Sequence, residues 1–147
     1  MYKKMVVPVD GSETSWRALR QAVELGTKFG GSEIVVLTVI QPYNNAALLA
    51  VPLDHNVISQ SNADMERIGN EVLKQAREIV GPNYAGKVSF EMEVGHPSER
   101  ILAVTKECGA DAIIIGSRGL SGIAEFFLDC VRYKISQYSN VPVLIVK

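Results

Sequence analysis

The sequence predicts an α/β fold: a single open, mostly parallel five-stranded sheet with helices on both faces. Three observations carry this. Apolar, β-branched runs alternate with stretches of helical periodicity along the whole chain, and such alternation builds a parallel sheet with crossover helices. The run Ala112-Ile113-Ile114-Ile115 has no polar member, which fits a strand covered on both faces. Gly30-Gly31 and Gly109 stand where two of the helical patterns end, as helix-stopping residues do.

The elements follow in order. Lys3–Val9 reads as the first strand. Ser12 is placed to cap a helix, in which Trp16, Leu19, Val23 and Phe29 recur at helical spacing. Glu33–Ile40, rich in Val and Ile, is the second strand. Gln41–His55 carries Pro42, Asn44, Asn45 and Pro52 and reads as a long connection. A second helix is expected from Ile58 to Val80, with Met65, Ile68, Val72, Leu73, Ala76 and Ile79 on its buried face. Val88, Phe90, Met92 and Val94 alternate with Ser89, Glu91 and Glu93, the pattern of an edge strand with one solvated face. Pro97 suits the first turn of a third helix. Ala110–Ile115 is the fourth strand, and a fourth helix ends before Asn140. Val141–Val146 is the last strand, and Pro142 marks its start or a free edge.

The chain has 147 residues, 47% hydrophobic and 21% charged, with a formal net charge of −1. That suits one domain, 1–147, with one sizeable core. The charge balance gives no case for nucleic acid or an anionic membrane. No apolar run approaches the ~20 residues of a membrane span. The start, Met1-Tyr2-Lys3-Lys4, lacks the apolar region of a signal peptide. Two cysteines, Cys108 and Cys130, form no Cys-x-x-Cys pair, so a reducing cytoplasm is expected. His55 and His96 have no metal-ligand spacing, and no metal is expected.

Two strand ends carry unusual residues: Pro8-Val9-Asp10-Gly11-Ser12 and Ile115-Gly116-Ser117-Arg118-Gly119. In open parallel sheets ligands bind beyond the carboxyl ends of the strands, where the winding direction reverses. Asp10 either faces a ligand there or caps the following helix. Gly116 and Gly119 either let the backbone approach a ligand or serve a plain turn. Arg118 is either a phosphate contact or a solvated loop charge, and Trp16 is a packing residue. Gly81-Pro82-Asn83-Tyr84-Ala85-Gly86-Lys87 imitates a P-loop, but Val88 stands where Ser or Thr would bind magnesium. The segment also joins a helix to a strand, the reverse of the P-loop setting, so it reads as a helix-stop turn. No Ser-His-Asp or Cys-His set can be assembled, and the chain is not read as an enzyme beyond slow ATP hydrolysis.

Val6-Val7-Pro8-Val9-Asp10-Gly11-Ser12, Gly95-His96-Pro97, the run from Gly109 to Gly119 and the closing Val141–Val146 occur in that order. Together they resemble the universal stress protein family over nearly the entire chain. The resemblance implies a Rossmann-like sheet in the order 3-2-1-4-5. It implies a stress-response regulatory module with an adenine-nucleotide crevice, for ATP or AMP, at the ends of strands one and four. By motif position, Pro8, Val9 and Asp10 line the crevice, with Asp10 on the ribose and the backbone near Val39 on the adenine edge. Ile115, Gly116, Arg118 and Gly119 border the ribose and phosphates, and the amides of Asp129, Cys130 and Val131 hold the phosphates. The family pattern Gly-x2-Gly-x9-Gly-Ser/Thr is met only in its first half, because Asp129-Cys130 replaces Gly-Ser. A carboxylate beside a polyanion weakens ATP binding. The resemblance also implies a homodimer through the last strand. The alternative is a dimeric interaction protein of the same family that binds no nucleotide.

Overall fold

The computed structural model describes residues 2–41, 55–117 and 131–147. Five parallel strands, β1 (Lys4–Pro8), β2 (Glu33–Ile40), β3 (Val88–Val94), β4 (Ala112–Gly116) and β5 (Val143–Val146), form one sheet. Their order is β3-β2-β1-β4-β5, as the family resemblance implies. Three helices are α1 (Glu13–Lys28), α2 (His55–Val80) and α3 (Pro97–Glu107). Residues 131–138 are helical as well and are called α4.

The helices divide between the two faces. Trp16, Leu19 and Ala22 of α1, with Val72, Leu73 and Ala76 of α2, cover Met5, Val7, Ile34, Val36 and Ile114. Ile101 and Val104 of α3, with Val131 and Ile135 of α4, cover Val6, Val35, Leu37, Ile113 and Ile115. Each large aliphatic side chain so buried contributes about 1.5–3 kcal/mol. Every residue of β4 is buried, which is why its run carries no polar side chain.

Several local expectations change. α2 starts at His55, ahead of Ile58. Ile68 is 60% exposed. Gly69 takes the inward place one residue later, against Met92 and Ile40, so the helix meets the sheet more closely than an Ile side chain would permit. Phe29 does not join the core; it ends α1, stays 52% exposed and stacks on Tyr2 with ring centroids 5.4 Å apart. β5 starts at Val143, because Val141 is held by the Ser139 hydroxyl and Pro142 has no N–H to donate. Pro142 still accepts from the Ile113 amide at 2.9 Å. Apart from its two ends, the expected connection Gln41–His55 lies outside the described residues.

The P-loop look-alike is a connection between α2 and β3. Tyr84 turns inward, and its hydroxyl donates to the Ser32 carbonyl. Burial pushes the Tyr84 hydroxyl above its ordinary pKa of 10.0. Among the described residues no helix is long and apolar enough to cross a membrane.

Candidate functional site at the ends of β1 and β4

The chain winds outward from β1 to β2 to β3 through α1 and α2 on one face. It then returns to β4 and β5 through α3 and α4 on the other. Between β1 and β4 the winding direction reverses, the place beyond which open parallel sheets bind ligands.

On the β1 side, Pro8 is half-buried at the strand end, and the Val9 amide continues the ladder by donating to Leu37 O at 2.8 Å. Gly11 turns the chain into α1 with φ of +87°, a conformation costly for other residues. Ser12 is the N-cap, accepting from the Ser15 amide at 3.3 Å. The capping role considered for Asp10 therefore belongs to Ser12. Asp10 supports the cap: its Oδ1 accepts from the Ser12 amide at 2.9 Å and from the Ser12 hydroxyl at 2.5 Å. Among the described residues no bond reaches Oδ2, and the side chain is half-buried.

On the β4 side, Gly116 has a packing cause that sequence reasoning did not supply. A Cβ there would lie 2.6 Å from Thr14 C and 2.7 Å from Thr14 O. The end of β4 therefore rests directly on the first turn of α1. Beyond it, the Ser117 amide donates to Val146 O at 2.8 Å. Arg132, in the first described turn of α4, donates from Nη1 to Ser117 O at 2.8 Å.

The expected site residues thus separate into two kinds. Pro8, Asp10 and Val39 are only partly buried. Val9, Ile115, Gly116 and Val131 are buried, so a ligand would meet mainly their backbone. Val39 stands opposite Glu93 in the β2–β3 register. Arg118, Gly119, Asp129 and Cys130 lie outside the described residues. Thr14, Ser117 and Arg132 were missed. The position of Arg132, immediately after the expected phosphate-binding amides, was the available signal. Among the described residues no group of three or more His, Cys, Asp or Glu side chains could hold a metal ion.

The whole chain, residues 1–147, matches the universal stress protein family. The chain belongs to that family. It is 33% identical to universal stress protein YxiE of Bacillus subtilis, over 100% of both chains. Two solved structures share the fold of this universal stress protein. One is a universal stress protein in complex with cAMP, with 22% identity, a TM-score of 0.72 and coverage of 99% and 97% of the two chains. The other, from Archaeoglobus fulgidus in complex with dAMP, has 23% identity, a TM-score of 0.66 and coverage of 99% and 98%.

Proposed function

We propose that this universal stress protein is a stress-response regulatory module that binds an adenine nucleotide in the crevice between β1 and β4. One observation carries this above all. At the switch point, half-buried Asp10 commits Oδ1 to Ser12, while no described residue bonds Oδ2. A ribose hydroxyl is a suitable donor to that oxygen. The cAMP and dAMP complexes of proteins with this fold support the adenylate class. In this reading the backbone near Val39 meets the adenine edge. Gly116, Arg118 and Gly119 border the ribose and phosphates, and the amides of 129–131 hold the phosphate.

Asp129 adds a negative charge at the phosphate end. Two like charges ~4 Å apart cost about 1 kcal/mol in water and ~4 at an effective dielectric of 20. The cost grows with phosphate number, so AMP binds better than ATP. Titration calorimetry with AMP and ATP tests this on the unmodified chain and on Asp129→Gly/Cys130→Ser. The double variant should gain at least about tenfold in ATP affinity, or about 1.4 kcal/mol. Micromolar ATP binding by the unmodified chain would refute the weakening.

We also propose a cytoplasmic homodimer joined through β5. A specific observation favours a reading in which that dimer, not nucleotide, is the functional element: Leu144 and Ile145 on the edge strand are 44% and 39% exposed. An apolar strand edge invites pairing. The calorimetry separates the two readings, since only the first requires nucleotide binding.

A further inference from the structure

We propose that the outer edge of β3 is a docking site for an extended, basic segment of a partner protein, which joins the sheet there as a sixth strand. β3 ends the sheet on one side and pairs with β2 alone. In their parallel register Ile34 stands opposite Val88 and Ile40 opposite Val94. The Ile34 amide donates to Lys87 O at 2.9 Å, and the Gly95 amide donates to Ile40 O at 3.0 Å. This phase commits the backbone groups of Ser89, Glu91 and Glu93 to β2 and turns those of Val88, Phe90, Met92 and Val94 outward. Among the described residues no hydrogen bond reaches the outward groups.

The two faces beside this edge differ in chemistry. On the α2 face, Val80, Tyr84, Val88 and Phe90 line an open groove of about 660 Å³, with the Arg77 guanidinium 4.8 Å from the centre of the Phe90 ring. On the other face Glu91 is exposed and has no ion pair among the described residues, while Glu93 is held by Arg100 at 3.3 Å. Side chains of an added strand alternate between the same two faces. An incoming strand therefore offers an apolar side chain to the groove and, next to it in sequence, a cation to Glu91. In strand addition the backbone bonds give affinity and the alternate side chains give specificity, and opposite charges across neighbouring strands attract. The net charge of the chain is only −1, so the attraction is local to this edge. A second copy of β3 is a poor occupant, because two-fold pairing sets Glu91 and Glu93 of both chains on one face of the ladder. β5 of another copy, Val143–Val146, brings no cation between its apolar residues.

The probe is an acetylated, amidated heptapeptide, Lys-Val-Lys-Phe-Lys-Val-Lys, titrated into the chain and followed by backbone amide NMR. Saturable shifts should centre on Val88, Phe90, Met92 and Val94. The same peptide with Glu for Lys should bind at least about tenfold more weakly, and Glu91→Lys should reverse that preference. Binding of the acidic peptide also reports that the exposed substitution leaves the chain folded. N-methylation of alternate peptide amides should abolish binding in one phase and leave it within about threefold in the other. Equal binding of the two peptides to the unmodified chain would overturn the proposal, as would shifts away from β3 or indifference to the methylation phase. No binding at millimolar peptide would overturn it as well and leave Glu91 as a guard against edge pairing. Outward amides already protected from hydrogen exchange in the chain alone would mean that another copy covers β3, and would equally overturn it.

Discussion

Asp10 has two duties that substitution can separate. Asp10→Ala removes both the brace on Ser12 and the proposed ribose contact. It should cost about 1.5–3 kcal/mol in AMP binding and ~1 kcal/mol in stability. Asp10→Asn keeps an acceptor oxygen for the Ser12 amide and hydroxyl but gives up the charge. Its denaturation midpoint should stay near that of the unmodified chain while AMP affinity falls. Equal AMP affinity in all three proteins would leave Asp10 with the bracing role alone. Tyr84 offers a second test, far from the crevice. Its folded pKa is raised by burial above 10.0, so above pH ~10 the unfolded chain releases the phenolic proton more readily than the folded one. The stabilisation is therefore complete below pH ~10 and is lost as pH rises toward the folded pKa. Tyr84→Phe should lower stability by about 1–3 kcal/mol at neutral pH, because the Ser32 carbonyl loses its donor. It should also flatten the decline in alkali. Denaturant titrations across pH 8 to ~11 would show whether the two proteins converge. Parallel curves would remove Tyr84 as the cause. Of these two residues, Asp10 was visible in the sequence as the end of an apolar run. Tyr84 was hidden, since its partner Ser32 is brought to it only by the fold.

At the scale of elements, β5 carries the clearest expectation. It is an edge strand with Leu144 and Ile145 exposed on opposite faces of the sheet. Ile145→Lys should convert the proposed dimer to monomer in light scattering, or precipitate the protein if the edge stays uncovered. A dimer that survives this change would place the interface elsewhere. The elements themselves were largely legible. Apolar runs marked β1, β2, β4 and β5, because a sheet covered by helices leaves little room for polar side chains. Alternation marked β3 as an edge. Helix faces were less legible at their margins: Ile68 fits a helical stripe in sequence, yet the close approach at Gly69 turns it outward. The start of β5 was misplaced for a similar reason, since the Ser139 hydroxyl holds Val141 before the ladder begins.

At the scale of the whole molecule, periodicity could not supply the strand order; it came from the family resemblance, and the sheet bears it out. That order makes β1 and β4 neighbours and brings Asp10 and Gly116 to the same end of the sheet. The packing of Gly116 on Thr14 was not legible, because it joins residues that only the folded sheet brings together. Arg132 was overlooked for the same reason, its partner Ser117 being the residue after β4. The central claim is that adenine nucleotide occupies this crevice. The most direct measurement is an AMP titration followed by backbone amide NMR. The predicted result is saturable shifts at Val9, Asp10, Gly11, Val39, Gly116, Ser117 and Val131, with no change in the groove that Arg77, Val80, Tyr84, Val88 and Phe90 line where α2 passes to β3. No shifts at millimolar AMP, or shifts confined to that groove, would contradict it.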